Sequence, residues 1–218
     1  MKTHKELKNR QRQDRHSYSE YLGVRVHRAL SWLNRAEQCT DDADGQVIFL
    51  WIAFNAAYAN DIAEEYRLRE QAMFAQFLTR LCDLDNQQQR LKNLVWVEFP
   101  SSIRILLGNQ HVFQAFWDHQ NGKISEEEWQ DRFSRANAAA STTLSRENSA
   151  GVLAIALSRV YTLRNQLIHG GSTWNSKVNR DQIRDCAKLL GCLVPIVIEI
   201  MMDNHDELWG QPCYPVVK

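Results

Sequence analysis

Arg164, Asn165 and His169 fall within six consecutive residues, in the run RNQLIHGG at 164–171. Their types suit chemistry on a phosphodiester. An imidazole titrates near neutrality, so His169 suits proton transfer. A guanidinium offers a planar fork of donors that matches phosphate and holds charge building on its oxygens. The Asn165 carboxamide, one turn before His169, could orient the ring or hold the phosphate itself. The same residues have plainer uses. His169 could cap the last carbonyls of a helix, where a cation also suits the dipole. Arg164 could snorkel past a core edge, or pair with Glu199, the lone acid in the apolar run 189–202.

Such side chains need a helix to hold them, and the segment GVLAIALSRVYTLRNQLIHGG at 151–171 has the pattern of one. With Leu153 at 0° and about 100° per residue, Ala156, Leu157, Val160, Leu163, Leu167 and Ile168 fall between about −80° and +60°. Arg164 sits at about +20°, inside that apolar arc. A guanidinium there is costly unless it is paired or lines a wet cleft. Ser158, Asn165 and His169 fall at about 120–160° and form a separate polar ridge. Gly170–Gly171 suits the left-handed position just past a helix end. A second apolar run, FLWIAFNAAYA at 49–59, carries Asn55 and Tyr58. These two either shape the site as a buried polar pair or are satisfied within the core. Ser158 and Tyr161 are further supporting candidates.

Other chemistries lack their signatures. The chain has no GxxxxGK[ST], GxGxxG, HExxH or GxSxG, and its 7 His are scattered. No metal site and no cofactor is expected. The five cysteines (Cys39, Cys82, Cys186, Cys192, Cys213) form no CxxC and read as free thiols of a reducing compartment. No signal-peptide pattern opens the chain. The apolar runs 47–59 and 189–202 are too short to span a bilayer. A soluble, cytoplasmic protein with no membrane partner is expected.

With 26 basic and 26 acidic side chains the formal charge is zero, which excludes a uniformly basic, phosphate-coating body. The distribution is uneven. Residues 1–16 hold six Lys and Arg against Glu6 and Asp14, and residues 132–188 hold nine against Glu147, Asp181 and Asp185. Each excess is either a guide for a polyanion or a solvated face.

Only 9 Gly and 4 Pro occur in 218 residues, too few for a sandwich or barrel of short strands. The chain reads as all-α, a bundle of six to eight helices. Residues 1–16 read as a polar, frayed extension, 17–205 as the helical domain and 206–218 as an irregular tail. Within the domain, Ser17 with Glu20 opens a helix over 17–39, and a second covers 45–66. Helices follow at 70–83 and from 87 to 97, with Pro100 as an interruption. Short helical turns occupy 101–107 and 111–117. Ser125 with Glu128 caps a helix over 126–140, and 141–149 is a connector. The long helices 150–169 and 179–204 close the domain, the latter kinked at Pro195.

RNQLIHGG at 164–171 resembles the signature of the HEPN superfamily: Arg, a polar residue that is often Asn, then His near a helix end. Requiring Asn beside Arg lowers chance matches of Arg-x4-His in this composition from about 0.6 to about 0.04. FLWIAFNAAYA at 49–59 is similar to the second-helix motif of stand-alone HEPN proteins of plasmids and mobile elements. The Apea-like group tends to carry an acid where this chain has Asn55. The resemblance implies a HEPN-like helical bundle and metal-independent RNA cleavage by 2′-hydroxyl attack, with Arg164, Asn165 and His169 as the catalytic set. One chain supplies one such His, so the resemblance implies a homodimer whose two motifs face one cleft. It implies an RNA substrate, a toxin–antitoxin or phage-defence setting, and an antitoxin or regulator as a further partner. The alternative within the family is a non-catalytic nucleotide- or protein-binding module.

Overall fold

In a computed structural model, residues 2–59, 70–177, 179–212 and 214 are described. Ten α-helices run through them, and no run of strand occurs among the described residues. They are α1 (His4–Asp14), α2 (Glu20–Glu37), α3 (Ala43–Tyr58), α4 (Glu70–Leu84), α5 (Arg90–Asn93), α6 (Pro100–Leu107), α7 (Gln114–Gln120), α8 (Glu126–Ser145), α9 (Ser149–Ile168) and α10 (Arg180–Asp203). The fold class is all-α, and the count exceeds the expected six to eight.

The excess has local causes. Residues 4–14, expected to fray, form a helix with a complete capping box. The Thr3 side chain accepts from the Glu6 amide, and the Glu6 carboxylate accepts from the Thr3 amide. Leu7 is fully buried against the core, so α1 is docked. The expected Pro100 break also starts a helix. Leu94–Glu98 makes a wide turn in which the Phe99 amide reaches the Leu94 carbonyl at 3.0 Å, and Pro100 then opens α6.

Other boundaries shift for side-chain reasons. Ser19, not Ser17, caps α2, because the Ser17 hydroxyl donates to the Asp14 carbonyl at 2.7 Å. Ser125 caps α8 as expected, but Glu128 bonds Arg132 instead of returning to the cap. The expected connector 141–149 is helical as far as Ser145. There the Thr142 and Thr143 hydroxyls bond the carbonyls one turn back and tolerate the helix. Expected helix residues 60–66 lie outside the described residues. α10 runs through Pro195, although Gly191 loses its usual amide partner there.

The core is built around α10. Every residue from Leu193 to Met202 is buried, so the helix is covered on all faces. α2 and α3 pair as a hairpin and pack on it, α1 lies across α2 and α10, and α4 packs on α9. Aromatic rings fill the α3–α4–α9 junction: Trp51 meets Phe74 and Tyr161, while Tyr58 stacks with Phe54 and lies 4.6 Å from Phe74. No described helix is long and apolar enough to cross a membrane.

Two buried arginines, neither expected from the sequence, join distant segments. Arg25, 1% exposed, donates to the carbonyls of Ala57, Ala59, Gly210 and Gln211. It ties the end of α3 to the C-terminal segment. Arg159, 3% exposed, lies over the Phe113 ring at 4.4 Å and reaches the Leu107 carbonyl at 3.4 Å. It has no carboxylate partner among the described residues, and burial pulls it down to about 10.

Arg25→Met should cost about 3 kcal/mol in urea denaturation, because it strands the buried Ala57 carbonyl and releases three part-buried ones. A loss below about 1 kcal/mol would mean the carbonyls find water. Arg159→Met keeps the stem against Phe113 and removes the uncompensated charge. Its midpoint should be unchanged or raised; a drop of about 2 kcal/mol or more would show that the guanidinium contacts outweigh its burial.

Candidate functional site

The end of α9 is sharply defined. His169 is the cap, and Gly170 follows at φ +70°, where a Cβ is strained. The Gly171 amide donates to the Gln166 carbonyl at 2.7 Å and the Gly170 amide to Leu167 at 3.3 Å, a Schellman closure. A Cβ on Gly171 would stand 3.1 Å from the Gln166 oxygen. The glycine pair therefore fixes where the helix stops and where His169 emerges. His169 is exposed, and Ile168 before it is 48% exposed.

Arg164 lies one turn deeper and is half-buried. It donates to Asn165 Oδ1 at 2.9 Å, and its buried Nε has no partner. No carboxylate lies within 4 Å of it among the described residues. The pairing with Glu199 does not occur: that acid is held by Lys2 and, at 3.9 Å, by Arg90. Asn165 thus braces Arg164 rather than the His169 ring. What results is a guanidinium with no carboxylate partner among the described residues, and an exposed imidazole five residues on and about 140° further round the same helix end. A guanidinium can hold a phosphate and an imidazole can protonate one.

The supporting candidates do not gather there. The Ser158 hydroxyl donates to the Ile155 carbonyl of its own helix. It stands eleven residues before His169, about 16 Å along the axis. Tyr161 packs on Trp51, Tyr58 is buried among Phe54, Phe74 and Phe77, and Asn55 is half-buried. Among the described residues Asn55 makes no hydrogen bond with Arg164, Asn165 or His169. No group of three or more potential metal ligands occurs among the described residues.

Sequence reasoning missed the neighbour of this helix end. Gln166 Nε2 donates to the His111 carbonyl at 2.7 Å, which brings the turn Gln110–Val112 against α9. His111 is exposed, its ring edge-on to Phe116 at 5.2 Å. The 111–117 stretch had no periodic link to 166, so only tertiary contact reveals it. The basic excess of 132–188 is also different from its expectation. Arg132 and Arg135 pair within α8, Arg180 pairs with Asp44, Arg184 lies 4.0 Å from Asp181, and Arg159 is buried. Four of the nine cations are thus paired.

Compared with protein-family models, curated proteins and solved structures, the chain matches none.

The two ion-pair states predict different costs. Arg180→Ala strands Asp44, which is 7% exposed, and should cost about 3 kcal/mol. Arg164→Ala strands no acid and should cost less than about 1 kcal/mol in the same thermal melts. Equal losses for the two would show that Arg164 is a structural ion.

Proposed function

We propose that this protein is a metal-independent endoribonuclease of toxin or phage-defence type, with Arg164, Asn165 and His169 as its catalytic set. The observation that carries the reading is Arg164: a half-buried guanidinium with no carboxylate partner among the described residues, braced by Asn165, on the same helix end as an exposed His169 five residues on. The resemblance of RNQLIHGG to the HEPN signature and the all-helical fold agree with it.

In this reading the 2′-hydroxyl attacks the adjacent phosphorus. The bond from O2′ to phosphorus forms and the bond to O5′ breaks, leaving a cyclic phosphate and a free 5′-hydroxyl. One group takes the 2′ proton, and another protonates the departing 5′ oxygen. Arg164 holds the charge on the phosphoryl oxygens. His169 supplies one of the two proton transfers. A second chain supplies the other when two α9 ends face one cleft, which makes the protein a homodimer. A second arrangement has its own observation: Gln166 ties the His111 turn to α9, so His111 stands as the alternative partner within one chain.

Cleavage of a labelled single-stranded RNA in excess EDTA tests the reading. Both His169→Ala and Arg164→Ala should lower the rate at least a thousandfold while the chain stays folded. Asn165→Ala should fall between these variants and the parent. His111→Ala should keep activity if two chains share the site and lose it if one chain suffices. Parental rates in both His169→Ala and Arg164→Ala would end the nuclease assignment. RNA or nucleotide binding without cleavage by the parent would leave the non-catalytic module.

A further inference from the structure

The N-terminal helix carries a second feature. Lys5, Lys8, Arg12 and Arg15 follow one another at intervals of three or four residues, so they share one face of α1 within about 80°. Among the described residues none of the four has a carboxylate within 4 Å. The acids nearby are engaged elsewhere: Asp14 by Arg10, Glu6 by the Thr3 cap, and Glu37 by the His4 amide. Lys8 instead donates to Gln11 at 2.7 Å and lies 3.3 Å from His27 Nδ1. Burial and, after it, the guanidinium groups of Arg12 and Arg15 pull the Lys8 ammonium below its ordinary value. The stripe is thus a row of like charges left in mutual repulsion. Like charges one turn apart weaken a helix, so nothing in the fold itself requires them.

Beside the stripe, between the end of α1 and the start of α2, lies a recess of about 410 Å³. Arg15 stands on its rim, and Glu20 is the one acid lining it. Its walls include Tyr18, Val24 and His27, and its floor includes Gly23. A Cβ added to Gly23 would meet nothing within 4 Å, so packing does not call for glycine there. A space lined by the aromatic side chains of Tyr18 and His27, with cations along one side, fits a nucleobase attached to its phosphates.

We propose that the α1 stripe and this recess form a binding surface for single-stranded RNA, the phosphodiester chain lying along Lys5, Lys8, Arg12 and Arg15 and a base entering beside Tyr18 and His27. The proposal deepens the nuclease reading and rests on it for the choice of RNA. An acidic protein segment would meet the stripe but has no use for the recess.

Binding is separable from cleavage. The full chain carrying His169→Ala is titrated into a fluorescein-labelled single-stranded RNA of about 20 nucleotides, read by anisotropy at several salt concentrations. The combined variant K5Q/K8Q/R12Q/R15Q should bind at least tenfold more weakly near 0.1 M salt. Its slope of log affinity against log salt should be flatter by about 3, at roughly 0.7 per lost contact. Gln keeps helix propensity, and K5Q/R12Q/R15Q spares the Lys8 contacts if the fourfold variant unfolds. R132Q/R135Q on α8 removes paired charge and should leave binding unchanged. Gly23→Leu, which fills the recess floor, should weaken RNA binding without flattening the salt slope. Unchanged RNA affinity in the stripe variants would overturn the proposal, as would equal losses in R132Q/R135Q. Tighter binding of polyglutamate than of RNA would overturn it in favour of an acidic protein. A parent that binds RNA through the stripe but cleaves none would remove the nuclease reading and leave this surface standing.

Discussion

Glu199 is a carboxylate inside the stretch Leu193–Met202, where every residue is buried, and much of the molecule is arranged by the need to neutralise it. A buried charge costs several kcal/mol unless it is met. Lys2 and Arg90 meet it from opposite directions in the sequence. Lys2 does so because α1 lies across α10, with Arg10 reaching Asp203 at 2.7 Å. Arg90 does so because α5 starts beside Asp85, which accepts from Arg90 at 2.7 Å and from the Leu91 amide at 2.8 Å. On Arg90 itself burial works to lower the pKa, and Asp85 and Asp203 overcome it, so the group ends above its ordinary value. The same arrangement docks the N-terminal helix.

Four internal arginines show how environment sorts one side chain into different roles. Arg25 is saturated by carbonyls and Arg90 by carboxylates; both hold the fold together. Arg159 lies on an aromatic face, and its charge is a cost with no ion to offset it. Arg164 has only a neutral amide and an unpartnered Nε. A group that stabilises a developing anion must not already be neutralised by one. By that criterion Arg90 is unavailable and Arg25 is occupied by backbone oxygens. Arg159 is sealed under Phe113, whereas Arg164 is half-buried one turn before an exposed His169. The distinction rests on partners and access rather than on burial alone.

The parts of this picture legible in the sequence were those set by local periodicity. The apolar arc of α9, its glycine stop and the Ser125 cap all follow from residues within a few positions of one another. α1 was missed because a single buried leucine, Leu7, anchors it among six cations, and composition outweighed the Thr3–Glu6 capping box. Ser17 and Glu20 have the spacing of a capping box, but the Asp14 carbonyl that takes the Ser17 hydroxyl cannot be seen in a pattern. Arg25 and Arg159 were invisible for the same reason, since their partners lie 32 to 186 positions away or in a ring across the fold. The polar ridge was only half right. Asn165 turns to its neighbour Arg164 rather than to the His169 ring. Asn55 and Tyr58 read as site residues because polar groups in an apolar helix invite that view, and Tyr58 proves to be packed among rings.

A net charge of zero also concealed how the charges are used. Asp85, Asp203, Glu199 and Asp44 are all committed to pairs in or near the interior. Those pairs draw their cations from α1, α5 and α10, and they remove acids from the surface. Asp14 and Glu37 are likewise occupied at the ends of α1. What remains outside is locally unbalanced, with Lys5, Lys8, Arg12 and Arg15 along one helix face and Arg164 at the end of another. Each interior pair removes one acid and one cation together, so the free cations are balanced by acids elsewhere on the surface, Asp181 and Asp206 among them. A neutral formal charge therefore says little about local field: the free cations of α1 and of the α9 end set it where they stand.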